Sequence, residues 1–196
     1  LLEKIKPRWI LGLTATLPAV ARNWLVKEVP SWQWAECGAR ALPDGLEVSA
    51  YKVPFRERSQ WLLANLTQTQ GGLLYLSTRK AVDHWASWLA RVVPPEQQVI
   101  AYRGGWSSEE RSLQLRQIER EFRNGHSPWI IATSAFGLGM DFPGLDRVIA
   151  VHPLMTPLAT AQVLGRAGRN GRRGLGQILW SEEDFRLQSW AFSGKS

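Results

Sequence analysis

Short continuous apolar runs alternate along this chain with longer stretches in which apolar residues recur every three or four positions. The first pattern suits strands buried on both faces, the second amphipathic helices. Ile10 to Leu13 reads as a short strand ending in Thr14-Ala15-Thr16, and Pro18 suits the first turn of a helix reaching about Glu28. Residues 30–47, with Pro30, Gly38, Pro43, Asp44 and Gly45, follow neither period and read as a linker. The predicted organisation is a segment at 1–29, a linker at 30–47 and a domain over 48–196.

Inside that domain, strands are predicted at 48–53, 72–77, 98–102, 129–133, 147–151 and 176–180. Helices are predicted at 56–70 and at 79–92, where Val82, Trp85, Leu89 and Val92 share a face. The next helix opens with Ser107 and Glu110 at capping-box spacing, carries Leu115, Ile118 and Phe122 as its stripe, and stops at Gly125. Thr156-Pro157 opens another in N-cap and N1 fashion, and a short acidic-start helix begins at Glu182. Strands joined by helices imply an α/β fold of three layers, a parallel sheet with helices on both faces. Ligands of such folds sit at the carboxyl ends of the strands. Four polar or glycine-rich clusters fall there: Ser77-Thr78-Arg79, Arg103-Gly104-Gly105, Thr133-Ser134 and the segment 165–171.

Composition narrows the chemistry. A chain of 196 residues with 44% hydrophobic and 21% charged residues has the balance of a soluble globular protein. No apolar run approaches the roughly 18 residues of a membrane span, and no secretory signal opens the chain. Residue 1 is Leu rather than Met, so the sequence reads as part of something longer. One cysteine (Cys37) and three histidines, unclustered, speak against an internal disulfide and against a structural zinc site, and no metal-ligand set is assigned. An intracellular home is expected, cytoplasmic and nucleoid-associated if the host is bacterial. The net charge is +7, with arginine supplying 18 of 24 cations. Guanidinium groups bind phosphate bidentately, so the surplus points to nucleotide or nucleic acid, with a solubilising surface as the plain alternative. The 11 tryptophans, Trp9, Trp24, Trp85 and Trp129 among them, sit mostly in apolar patterns that suggest core, a base-stacking platform being the alternative for any one.

Three segments carry candidate chemistry. In Gln162-Val163-Leu164-Gly165-Arg166-Ala167-Gly168-Arg169-Asn170-Gly171, Gln162, Arg166 and Arg169 share a face if the helix persists that far. Arginines flanking glycine can approach a phosphate closely, and a guanidinium matches the charge spread over γ-phosphoryl oxygens in transfer. A glycine-rich turn with solvated arginines is the plainer reading; a dinucleotide loop is another, but it should follow a strand. In Ile131 to Gly144, a buried strand runs into a loop with Gly137, Gly139, Asp141 and Pro143, where backbone amides can cradle phosphate and Asp141 can accept from a ribose hydroxyl. Alone, that segment is a tight turn. Thr14-Ala15-Thr16 is weaker still, since its hydroxyls can cap locally.

Taken together, in this order and spacing, these segments resemble superfamily 2 helicases. Thr14-Ala15-Thr16 looks like motif III, Leu74 to Arg79 is similar to motif IV, Thr133 to Asp141 to motif V, and Gln162 to Arg169 to motif VI. The Ala-Thr-Ser-Ala-Phe-Gly-Leu-Gly-Met-Asp and Gln-x-x-Gly-Arg-Ala-Gly-Arg wording resembles the RecQ branch more than RNA-directed DEAD-box proteins. Tyr102-Arg103-Gly104-Gly105 occupies the place of a Tyr-His-Ala-Gly segment in that branch. Other departures are Leu76 for Cys, Val163 for Glu, Phe142 for Lys and Asn170 for Asp, and the linker has no clear Arg-Pro-Asn signature.

The resemblance implies a RecA-like second motor lobe at 48–196, with 1–29 a remnant of the first lobe. It implies an ATP-dependent DNA helicase moving 3′ to 5′, using ATP with Mg²⁺ held mainly by the first lobe, and having single-stranded and duplex DNA as partners. Arg166 and Arg169 would be the arginine fingers, with Gln162, Gly139 and Asp141 at the nucleotide. Ser77, Thr78, Arg79, Arg103, Gly104, Thr133 and Ser134 would touch the DNA backbone, and Thr14 and Thr16 would couple the two sites. The chain contains no Gly-x-x-x-x-Gly-Lys-Ser/Thr loop and no acidic pair after a strand, so alone it is expected not to hydrolyse ATP. An RNA helicase of the same superfamily and a non-catalytic nucleic-acid-binding lobe are the rival readings. Oligomeric state is not legible.

Overall fold

Neighbouring residues in a strand point to opposite sides of the sheet, and in this chain both sides are apolar. Leu74, Ile131 and Ile149 enter one hydrophobic cluster, and Leu73, Ile130 and Val148 enter a second. A strand wet on one face would have alternated. The sheet must therefore be covered twice.

The computed structural model describes residues 19–31, 33, 42–66, 71–136, 145–169 and 171–186. Thr14, Thr16, Gly139 and Asp141 lie outside these residues, as does the expected strand at 10–13. The chain divides into two compact units, Leu1–Ala41 and Leu42–Ser196. In the first, only helix α1 (Ala19–Glu28) is described, and it buries none of its residues. Trp24 on it is 60% exposed, unlike the core or half-buried positions expected of most tryptophans.

The second unit carries six described strands: β1 (Leu46–Lys52), β2 (Gly72–Tyr75), β3 (Val99–Tyr102), β4 (Trp129–Ala132), β5 (Arg147–Ala150) and β6 (Gly174–Trp180). They form one sheet in the order β1-β6-β5-β2-β4-β3, with every pair parallel. Helices α2 (Arg58–Leu66), α3 (Arg79–Val92), α4 (Ser108–Arg123) and α5 (Pro157–Leu164) complete it. Leu62, Leu66, Val82 and Leu89 place α2 and α3 in the first cluster, and Ile118, Val163 and Leu164 place α4 and α5 in the second. The expected three-layer α/β architecture is the observed one.

Local signals explain most boundaries. Thr78 caps α3, its hydroxyl accepting from the Ala81 amide at 3.2 Å. The capping box on α4 is reciprocal: the Glu110 amide donates to Ser107 Oγ at 3.1 Å and the Ser107 amide to Glu110 Oε2 at 2.7 Å. Gly125 follows α4 at φ +79°, as a helix stop requires. Several boundaries shift: β1 opens at Leu46, inside the expected linker, and β2 ends at Tyr75 rather than 77. A 3₁₀ turn at Phe55–Glu57 precedes α2, so the helix starts at Arg58 rather than 56. The last strand opens at Gly174, two residues early, because the Gly174 amide donates to Gly45 O at 2.9 Å; backbone pairing needs no apolar side chain.

A buried ion pair ties the start of this unit to its end. Arg58 is 1% exposed and Asp184 5%. Arg58 donates to both Asp184 carboxylate oxygens, to Ser181 Oγ at 3.2 Å and to Val53 O at 3.3 Å. Burial pushes the Asp184 carboxyl up, but hydrogen bonds from Arg58 and from the Ser181 amide outweigh it and hold the group below its ordinary range.

Candidate nucleotide and nucleic-acid site

Four chain segments, those after β2, β3, β4 and β5, reach the carboxyl edge of the sheet; the turn of residues 165–169, expected there, packs at the amino edge instead, because α5 runs back to the start of β6 and the Gly168 amide donates to Leu145 O at 3.3 Å, ahead of β5. The polar residues fall into three groups. At the end of β2, the Ser77 amide donates to His152 Nε2 at 2.9 Å, and Ser77 Oγ lies 3.3 Å from Nδ1. An acceptor at Nε2 leaves the ring proton on Nδ1, which faces Pro153 O at 3.2 Å. Burial lowers the His152 pKa, against the opposing pull of the Pro153 carbonyl, so the ring is neutral and can accept. Ser77 and Thr78 are exposed beside it.

The second group surrounds the loop after β3. Arg103 donates from Nε to Asp83 Oδ1 at 2.7 Å, and its guanidinium lies 4.9 Å from the Trp106 ring centre. Arg79 packs on Gly105, where φ is +85° and any Cβ would strike the guanidinium. Gly104 accepts from Arg103 at 3.3 Å.

The third group joins β2, the loop after β4 and the turn after α5. Thr133 is buried and its hydroxyl accepts from the Ala135 amide at 3.4 Å, whereas Ser134 is exposed and hydrogen-bonds the Tyr75 hydroxyl. Burial raises the Tyr75 pKa, while Ser134 and the Arg166 charge oppose it. Arg166 is half-buried; burial lowers its pKa, and the like charge of Arg169 lowers it further. Arg169 donates from Nε to Gly165 O at 3.2 Å.

The helix does not persist through this segment. It ends at Leu164, and the Arg166 and Ala167 amides turn back to Val163 O and Leu164 O at 3.3 and 3.0 Å. Gln162 therefore sits on α5, exposed, while the arginines ride on a tight turn. The glycines, too, have a local reason. Gly168 adopts φ +69°, and a Cβ on Gly174 would collide with the Gly168 backbone, so two backbones meet where side chains cannot fit.

Of the residues singled out in the sequence, Arg166 lies within electrostatic reach of Arg169 and of Tyr75, to which Ser134 hydrogen-bonds, while Arg79, Arg103 and Gly104 gather at the loop after β3. Tyr75, Asp83, Trp106 and His152 were missed. A polar group closing an apolar strand was the available signal for Tyr75 and His152. Among the described residues, no three His, Cys, Asp or Glu side chains are placed to hold a metal, and no helix is long and apolar enough to cross a membrane.

Residues 57–171 match the family described as the helicase conserved C-terminal domain. The chain belongs to that family. This helicase lobe is 36% identical over 119 residues to the probable ATP-dependent DNA helicase RecS of Bacillus subtilis, covering 60% of the chain and 22% of that protein. It is 29% identical over 190 residues to the ATP-dependent DNA helicase Q4 of Mus musculus, covering 87% of the chain and 15% of that protein. The lobe thus spans about a fifth or less of these curated relatives, and they carry the RecQ-type resemblance read from its motifs. In fold it is similar to Mss116p DEAD-box helicase domain 2 bound to an RNA duplex, with a TM-score of 0.63 at 14% identity over 77% of the lobe and 60% of that chain.

Proposed function

We propose that this helicase C-terminal lobe is the second motor lobe of an ATP-dependent DNA helicase of RecQ type, moving 3′ to 5′. The observation that carries the reading is the pairing of Arg166 with Arg169. Burying a cation costs free energy, and setting a second cation beside it adds to that cost. Such an arrangement suits a polyanion, whose arrival relieves both terms, and the donor set fits a triphosphate. ATP, with Mg²⁺ held mainly by the first lobe, supplies the free energy of the cycle.

Arg169 is the main finger toward the transferring phosphoryl group, and Arg166 supports it. Gln162, Gly139 and Asp141 contact the nucleotide, and Thr14 and Thr16 couple nucleotide state to nucleic-acid grip. Ser77, Thr78, Arg79, Arg103, Gly104, Thr133 and Ser134 meet the DNA strand, contacts that position a backbone without reading sequence. Lobe closure would alternate between grips and step along the strand. Alone, this chain is expected not to turn ATP over.

The test uses the longer polypeptide in which this lobe follows a first motor lobe. Arg169→Ala should lower turnover at saturating ATP while leaving ATP affinity nearly intact. Unchanged turnover would defeat the assignment. Faster unwinding of RNA than of DNA duplexes would instead move the protein to the RNA-directed branch.

A further inference from the structure

We infer that Arg103 and Trp106 form a preassembled platform on which an unpaired DNA base stacks. The inference rests on the reading that this edge of the lobe meets single-stranded DNA, and adds to it a contact with the base rather than the backbone. Three observations carry it.

First, Arg103 is not simply a loose counter-charge for phosphate. Its Nε is committed to Asp83 at 2.7 Å, with its own side chain 20% exposed, so its charge is already partly answered within the protein. What the ion pair fixes is the plane of the guanidinium. Second, the guanidinium carbon sits over an indole, 4.9 Å from the ring centre, and both side chains are partly rather than fully buried. Guanidinium and indole faces are flat, polarisable and weakly hydrated, the properties on which nucleobases stack regardless of sequence. Because Asp83 holds Arg103 in place beforehand, little side-chain freedom remains to be lost when a base arrives. Third, a second cation stands beside the pair, opposite the Asp83 and Glu110 carboxylates that face Arg103. Arg79 lies across Gly105 between Arg103 and Trp106 in the chain, giving a cation for the phosphate beside an aromatic surface for the base. Alternation of basic and aromatic groups is how single strands are held without base readout.

The experiment measures equilibrium binding of the 196-residue chain to labelled oligothymidylate and to an abasic oligonucleotide of equal length, which keeps the phosphates and sugars but has no bases. The wild-type chain should prefer oligothymidylate. Trp106→Ala should weaken that binding roughly five- to a hundredfold, the span of base–aromatic stacking, while affinity for the abasic strand stays put. The slope of log affinity against log salt, about 0.7 for each phosphate neutralised on a single strand, should also be unchanged. Trp106→Phe should keep most of the preference, and Arg103→Lys, which retains charge and loses the plane, should lose part of it. These two milder variants decide the matter if Trp106→Ala does not fold. A full preference for oligothymidylate in the variants, or equal losses on both strands, would overturn the platform while leaving a salt-dependent DNA surface intact. Salt-insensitive wild-type binding would instead sink the DNA reading on which it stands.

Discussion

Two arginines of this lobe are drawn away from water, Arg58 fully and Arg166 in part, and their surroundings differ in kind. Arg58 is enclosed by acceptors: a carboxylate, a hydroxyl and a carbonyl all receive its protons. Arg166 has a second guanidinium for a neighbour, and its pKa falls through burial and through that like charge. The first arrangement is complete within the protein. The second sets two positive charges near one another on the turn between α5 and β6, with the Tyr75 hydroxyl opposing the shift. Like charges brought together cost free energy, and the proposed role of Arg166 and Arg169 toward phosphate rests on that difference from Arg58.

The contrast can be broken from either side. The largest effect is expected at the arginines proposed to face phosphate: in a two-lobed polypeptide, Arg169→Ala should cost about 10³–10⁵ in turnover, with the urea midpoint of the lobe little changed. Arg58→Met should do the reverse. It strands the Asp184 carboxylate in the interior and should remove about 3–5 kcal/mol of stability by urea denaturation, whereas Arg58→Met with Asp184→Leu should recover most of that. A double variant as unstable as the single would mean that packing, not charge, makes Arg58 important.

A smaller effect concerns the strand end. His152 has a folded-state pKa below the ordinary 6.5, chiefly through burial, so the unfolded chain binds its proton first. Stability should therefore fall on acidification below about pH 6.5, by up to about 1.4 kcal/mol per pH unit, and level off below the folded pKa. His152→Gln should flatten that part of the curve in pH-dependent urea titrations; an unaltered slope would show that other groups cause it. The smallest effect is local. Ser107→Ala opens the α4 capping box and should cost about 1 kcal/mol in the same assay, with no change in DNA affinity.

Much of the fold was legible because its signals are local or periodic. The span of α3, the capping box of α4 and the apolar runs of β2, β4 and β5 each announce themselves within a few residues. The site was legible in part. Glycines and arginines stood out as a segment, but the helix stops at Leu164, so the face imagined for Gln162, Arg166 and Arg169 gives way to a turn. Tyr75 and His152 were passed over because an aromatic hydroxyl or an imidazole at the end of a buried run looks like core. Only the sheet order, which sets β2 between β4 and β5, brings Tyr75 to Ser134 and His152 to Ser77. Asp83 and Trp106 needed α3 and the loop after β3 to be brought side by side, a contact across 20 residues that no short window contains.

The position of β6 bears on how the lobe comes into being. β1, the first described strand of the unit, has β6 as its described sheet neighbour, and β6 is the last of the described strands in chain order. The Arg58–Asp184 clasp joins residues 126 apart in the same late step. During synthesis, β2 to β5 can pair among themselves while β1 waits with its backbone groups unanswered. The lobe then closes in a single terminal event, and a chain cut short before Gly174 would keep an open strand edge, the kind of surface through which nascent proteins aggregate.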